Sequence, residues 1–332
     1  MKTDIAEIGR RALEGRRLDR PDVLTLTQAA VDKLDDLLYW ANRVRRHHFG
    51  RCLRLCAIAP GKLGACSEDC KWCAQSAAAP GMTPPRRSTT GEIIAAARDA
   101  TTNGAAAMGI VNSGRRPSER DIDEVLAATK RIRSDNPCRL QICASLGELT
   151  DAQAARLAAG GVVRYHHNLE TSREHFARMV TTHGYDERLE TLRAARRAGM
   201  SICCGGLFGI GESWEDRAEL AMTIRDQVAP DVTPLNFLHP IPGTPLADAT
   251  PLAPREVLAI IAVFRLVLPT VDIKIAGGRQ HNLRDLQSWA FYAGATSCMV
   301  GAYLTTAGRN VQDDLRMFAD LGMEIVKEFP PA

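Results

Sequence analysis

Residues 139–166, RLQICASLGELTDAQAARLAAGGVVRYH, decide the fold. Short runs rich in apolar and β-branched residues, at 139–144 and 162–166, flank a stretch with helical period. Thr150 and Gln153 make a capping-box pattern at the start of that helix, and Gly160 and Gly161 close it. Strand, helix and strand in so short a span imply parallel pairing through a right-handed crossover. The same alternation extends in both directions. Further strand candidates fall at 53–58, 106–111, 201–208, 232–238, 271–276 and 296–301. Helical patterns fill the gaps in GEIIAAARDATT, ERDIDEVLAATKRIR, DERLETLRAARRAG, SWEDRAELAMTIRDQV, PREVLAIIAVFRLVL and LRDLQSWAFYAG.

Eight strand candidates separated by helices predict an α/β fold, a closed (β/α)8 TIM-type barrel with an N-terminal helical extension. A doubly wound open sheet is the alternative. The expected division is an extension over 1–50, a barrel over 51–310 and a C-terminal helix over 311–332 packed on the barrel. Chemistry is then expected at the carboxyl ends of the strands.

The chain of 332 residues is 45% hydrophobic and 24% charged, a globular composition that excludes disordered and fibrous classes. A net charge of +3 gives no reason to expect a nucleic-acid partner. No run reaches the roughly 18 apolar residues of a membrane span, and MKTDIAEIGRRALEGRR lacks a signal-type apolar core, so a cytoplasmic location is expected. Arg43, Arg45 and Arg46 read as a solvated helix face, and His47 and His48 as structural. In that setting the ten cysteines are more readily metal ligands, reactive thiols or core residues than disulfides.

After the first strand, GKLGACSEDCKWCAQS sets Cys66, Cys70 and Cys73 in a C-x3-C-x2-C array. A closed structural zinc site wants four ligands. Three thiolates suit a [4Fe-4S] cluster that leaves one iron open to an external ligand. Zinc completed by a distant side chain is the other reading. Glu68, Asp69 and Lys71 make the loop too polar for core.

The array resembles the signature of the radical S-adenosylmethionine (SAM) superfamily. GACSEDCKWCAQS, CASLGELT, YHHNLETS, VTTHGYDERLETL, CCGGLFGIGES, PLNFLHPIPGTPL, AGGR and YLTT together resemble, in order and spacing, the biotin synthase family over about residues 35–325. The resemblance implies that SAM binds the open iron and is cleaved to a 5′-deoxyadenosyl radical. It implies SAM contacts at Asn168, Glu170 and Arg188, with Glu170 standing where the family usually has aspartate. Gly205, Gly206 and Gly209 resemble the superfamily's glycine strand, where missing side chains let backbone approach the adenine; as bare glycines they serve packing equally well.

The resemblance further implies a deeper [2Fe-2S] cluster that donates sulfur to dethiobiotin. Cys143, Cys203 and Arg279 match three of its ligand positions, whereas Gly109, or Ala107 with a small shift in alignment, stands where the fourth, a cysteine, is expected. Cys138 and Cys204 lie close in sequence to two of the ligands without filling that strand. Strand alternation points Cys203 inward and Cys204 outward. Asn236, Thr305 and Thr306 match substrate contacts, and His166 replaces an asparagine that meets the substrate's cyclic urea. Cys52, Cys56 and Cys298 read as core cysteines.

Two enzymatic functions follow. One is radical SAM sulfur insertion converting dethiobiotin to biotin, with a [2Fe-2S] or altered auxiliary cluster. The other is a related enzyme acting on another small molecule without sulfur insertion, of the methylornithine synthase type. A non-catalytic iron-sulfur protein is a third reading. The expected partners are dethiobiotin or an analogue, a low-potential electron donor such as flavodoxin or ferredoxin, and a second copy in a homodimer, with neither nucleic acid nor membrane.

Overall fold

The computed structural model describes residues 4–135, 140–306 and 308–327. Eight parallel strands form the predicted closed barrel: β1 (Cys52–Leu63), β2 (Ala107–Asn112), β3 (Gln141–Ser145), β4 (Arg164–His166), β5 (Ser201–Cys203), β6 (Val232–Phe237), β7 (Asp272–Ile275) and β8 (Ser297–Met299). Closure is made by β8 on β1, with Arg54, Leu55 and Cys56 opposite Ser297, Cys298 and Met299.

Strand alternation then sorts the side chains. Leu53, Leu55, Met108, Ile110, Ile142, Tyr165, Ile202, Ile273 and Cys298 join the apolar core outside the barrel, beneath the helices. Their neighbours face the axis. Upper inward positions such as Ile58, Gly109, Cys143, His166, Cys203 and Lys274 line a cavity of about 350 Å³ instead of closing it with branched apolar layers. β5 pauses at Cys204–Gly205 and resumes over Gly206–Phe208, still paired to β6.

The expected capping box is present: Gln153 N–H donates to Thr150 Oγ1 at 3.2 Å and Thr150 N–H to Gln153 Oε1 at 3.1 Å. The N-terminal extension is three helices, Ile5–Leu13, Arg20–Asp32 and Leu34–Phe49. No helix among the described residues is long and apolar enough to cross a membrane.

Four local expectations need correction. Arg45 is buried, donating to the carbonyls of Ala295, Gly50 and Cys52, so it clamps the last N-terminal helix to the barrel. LRDLQSWAFYAG is not one helix. Arg284 takes φ +49°, and short helices at Arg279–Leu283 and Trp289–Tyr292 flank a 3-10 turn. The C-terminal helix ends at Asp320, after which Glu324–Ile325 pairs beside Cys52 and Leu53 of β1. A short helix at Arg173–Met179 falls outside the predicted set.

The far end of β1, which launches the cysteine loop, is anchored by Asp121. Its carboxylate receives Lys62 Nζ at 3.2 Å and the Ser118 N–H at 2.8 Å. Burial alone would raise its pKa; the Ser118 and Lys62 contacts outweigh it and hold the group down at about 2. Because the folded value is depressed, this stabilisation is complete above the unfolded value near 3.9 and is lost as pH falls from there through about 2. Asp121→Asn is expected to cost ~2 kcal/mol near neutrality. The cost should shrink to a fraction of that at pH 2 and vanish below it, as urea unfolding of both proteins across that range will check.

Candidate functional site

The loop leaving β1 is held by its acids, not by its cysteines. Asp69 accepts from Thr181 N at 2.9 Å and Thr182 N at 3.3 Å. Glu68 accepts from Thr182 Oγ1 at 2.7 Å and from His183 Nδ1 at 2.5 Å. With those side chains turned to the segment 181–183, Cys66, Cys70 and Cys73 line one pocket, all unbridged. Burial pushes the Cys70 thiol up to about 12 and raises Cys73, so thiolates there need a metal's positive charge. Three thiols lining one pocket fit a polynuclear cluster, whose ligands bind different irons.

A relay joins this loop to the SAM-matching residues. His183 gives its Nδ1 hydrogen to Glu68, and Arg188 donates to its Nε2, with Nη2 at 2.9 Å. Arg188 Nη1 also donates to the Asn168 carbonyl at 2.6 Å and stands 3.9 Å from the Glu170 carboxylate. Burial raises the Glu170 pKa against the pull of Arg188, His166 and Asn168. Glu170 takes φ +68°, a left-handed conformation that turns its backbone into a bridge with Gly206 while its carboxylate enters the pocket. Asn168, Glu170 and Arg188 therefore come together, around the pocket of the three cysteines.

Gly205 and Gly206 do not face that pocket. A Cβ on Gly205 would lie 1.8 Å from the Pro234 carbonyl oxygen, and one on Gly206 2.8 Å from that of Glu170. They let backbones meet behind the site. Gly209, at φ +89°, belongs to the turn capped by Glu212.

Deeper in the barrel, Cys143 and Cys203 are buried and share a small cluster with Cys56, Ala106, Ala107 and Val232. The thiol of Cys204 is turned outward, as alternation predicted. Cys138 lies outside the described residues. Lys274 Nζ sits 3.7 Å from both Cys56 Sγ and Cys203 Sγ. Arg164 lies beside Cys143, anchored through Ser201. Burial opposes the charge on Lys274, but Cys203, Cys56 and Cys143 outweigh it and raise its pKa. Burial also pushes Cys143 up to about 11.

Arg279 is not part of this group. Its guanidinium pairs with buried Asp314 and donates to Gln287 Oε1 at 2.8 Å. Lys274 is the cation that sequence reading overlooked; its signal was a lysine at an inward position of the buried strand VDIKIA, whose other charged residue, Asp272, pairs with Arg54. Cys56, read as a core cysteine, belongs with the inward group as well.

His166 reaches both levels, with Nδ1 3.2 Å from Cys203 Sγ, and burial holds its pKa down at about 4. Cys73, Gln75, Ser145, His166, Asn168 and Glu170 line both the cysteine-loop pocket and the axial cavity, so the two are continuous. Asn236, Thr305 and Thr306 line the axial cavity too. Asn236 is fixed by backbone, donating to Gly206 O at 3.1 Å and accepting from Gly277 N at 2.9 Å.

A parallel barrel with three unbridged thiols in the loop after its first strand defines a radical SAM protein, and the radical SAM superfamily model matches residues 63–224. The biotin and thiamin synthesis associated domain matches 234–324. The biotin synthase of Trichlorobacter lovleyi is 46% identical over 328 residues, 98% of each chain. That of Syntrophotalea carbinolica is 46% identical over 325 residues, 97% of this chain and 98% of its own. The chain belongs to the biotin synthase family. Among solved structures, a methylornithine synthase superposes with TM-score 0.82 at 21% identity, covering 96% of this chain and 97% of its own. HydG, a maturase of the [FeFe]-hydrogenase, gives 0.84 at 16%, covering 99% and 76%. These two speak for the fold alone.

Two substitutions separate scaffold from site. His183→Ala should leave the iron bound at the cysteine loop unchanged and weaken SAM binding about tenfold, the weight of one buried hydrogen bond of ~1.4 kcal/mol; equilibrium dialysis reads both. Arg279→Met removes the buried partner of the Asp314 carboxylate and leaves it the ion pair with Arg309. It should lower unfolding free energy by about 2 kcal/mol while leaving total iron per chain intact.

Proposed function

We propose that this chain inserts sulfur into dethiobiotin to form biotin, with a [4Fe-4S] cluster on Cys66, Cys70 and Cys73 and SAM beside it. The observation that carries the reading is the continuous cavity from the cysteine loop, past Glu170 and His166, to the buried thiols and Lys274. When bound, the loop cluster with SAM supplies a hydrogen-abstracting radical, and the auxiliary cluster supplies the sulfur.

The protein's part is to bind and orient. Glu170 offers acceptors to the ribose hydroxyls of the adenosyl group, and Arg188 fixes the Asn168 backbone next to it. Asn236, with its carbonyl and one amide hydrogen already committed, keeps a second amide hydrogen for the substrate's urea oxygen. His166 is neutral near pH 7 and stands between substrate and Cys203. Thr305 and Thr306 receive the carboxylate end. Ile58, Val111, Leu207 and Met299 keep the axial cavity apolar, which suits a radical that must not meet water. A low-potential flavodoxin or ferredoxin delivers electrons, and we place the reaction in the cytoplasm, with a homodimer as the working assembly.

Gly109 and His166 favour a second reading, hydrogen abstraction from another small molecule without sulfur transfer. The buried thiols facing Lys274 weigh against it, since a barrel without an auxiliary cluster has no use for an ammonium among cysteines.

Cys70→Ala should abolish SAM cleavage by the reduced, reconstituted protein, and normal cleavage would refute the assignment of the loop. The intact gene should restore growth to a biotin-requiring strain that lacks its synthase. Failure with folded, metallated protein would transfer the case to the second reading.

A further inference from the structure

We propose that Cys56 on β1 replaces the cysteine absent at Gly109 and completes, with Cys143 and Cys203, a three-thiolate seat for the deep iron-sulfur cluster. The inference rests on the sulfur-insertion reading and names the ligand set that reading lacks.

Gly109 is inward on β2, and a Cβ there would meet only Ile58 Cγ2, at an ordinary 3.6 Å. Space for a side chain exists; the thiol does not. The adjacent strand supplies one. Cys56 is inward on β1, opposite Ala107 in register, while Ile58 stands opposite Gly109. The thiol source has moved one strand over and one inward layer down.

Three observations separate this from ordinary core packing. First, Cys56 is grouped with Cys143 and Cys203, not with the outward Leu53 and Leu55 of its own strand. Second, its sulfur shares the Lys274 ammonium with Cys203, each at 3.7 Å, which bounds the two sulfurs to within twice that distance. Third, the remaining members of the group, Ala106, Ala107 and Val232, are small, which leaves room between the sulfurs.

Charge supports the same set. Lys274 is buried with its ammonium against the sulfurs of Cys56 and Cys203. A buried cation is costly alone and is offset by thiolates. Lys274 therefore sits where a compact cation neutralises a thiolate-bound cluster, while Arg279 serves the Asp314 pair.

The test compares iron and acid-labile sulfide per chain, with electron paramagnetic resonance of the reduced protein, in anaerobically reconstituted wild type, Cys56→Ser, Cys143→Ser and, as control, Cys52→Ser. Cys56→Ser should lose the same iron and sulfide as Cys143→Ser, and keep the loop cluster's signal and SAM cleavage. Cys52→Ser should match wild type. Should Cys56→Ser fail to fold, Cys56→Ala carries the same comparison without burying a hydroxyl. Wild-type iron and sulfide in the Cys56 variant would overturn the proposal and leave the sulfur-insertion reading standing. A single cluster in wild type would overturn both.

Discussion

A lysine ammonium on the axis of a closed barrel, held against the sulfurs of Cys56 and Cys203, is the constraint around which this molecule is built. In an ordinary TIM-type barrel that position would carry a branched apolar side chain. A buried cation without an anion costs several kcal/mol, so Lys274 is tolerable only if the thiols facing it are thiolates. Cys143, in the same group, is pushed toward neutrality by burial. Thiols and ammonium satisfy one another best when a metal cluster supplies the remaining positive charge and fills the space between strands.

The upper site is organised differently. Its cysteines sit in a loop, where backbone freedom would cost precision, and the loop is pinned through Glu68 and Asp69 onto the segment 181–183. From His183 the connection passes to Arg188 and on to Asn168 and Glu170. Hydrogen bonds thus tie the loop that would hold the cluster to the residues that would hold SAM, and His183 belongs to neither. This is the arrangement expected where two groups must keep a fixed separation.

Much of this was legible in the chain. All eight strands fall on predicted runs, because inward and outward faces of a parallel barrel are both buried and leave apolar stretches bounded by turns. The C-x3-C-x2-C loop was legible because its spacing is local. What sequence could not give was the partnering across the barrel. Arg279 and Lys274 lie five residues apart and only Arg279 was singled out, yet the turn after β7 sends Arg279 to Asp314 and strand parity sends Lys274 inward. Arg45 was misread for a related reason: an arginine within a basic run gives no hint that three backbone carbonyls await it. The glycines at 205 and 206 were equally ambiguous until the carbonyls of Pro234 and Glu170 were seen against them.

The most direct measurement is an anaerobic crystal structure of the reconstituted protein with anomalous scattering recorded at the iron edge. The account predicts two separate iron peaks, one among Cys66, Cys70 and Cys73 and the other on the barrel axis between Cys56, Cys143 and Cys203, next to Lys274. A lone peak at the loop, zinc in place of iron there, or an axial peak that Cys56 does not touch would contradict it.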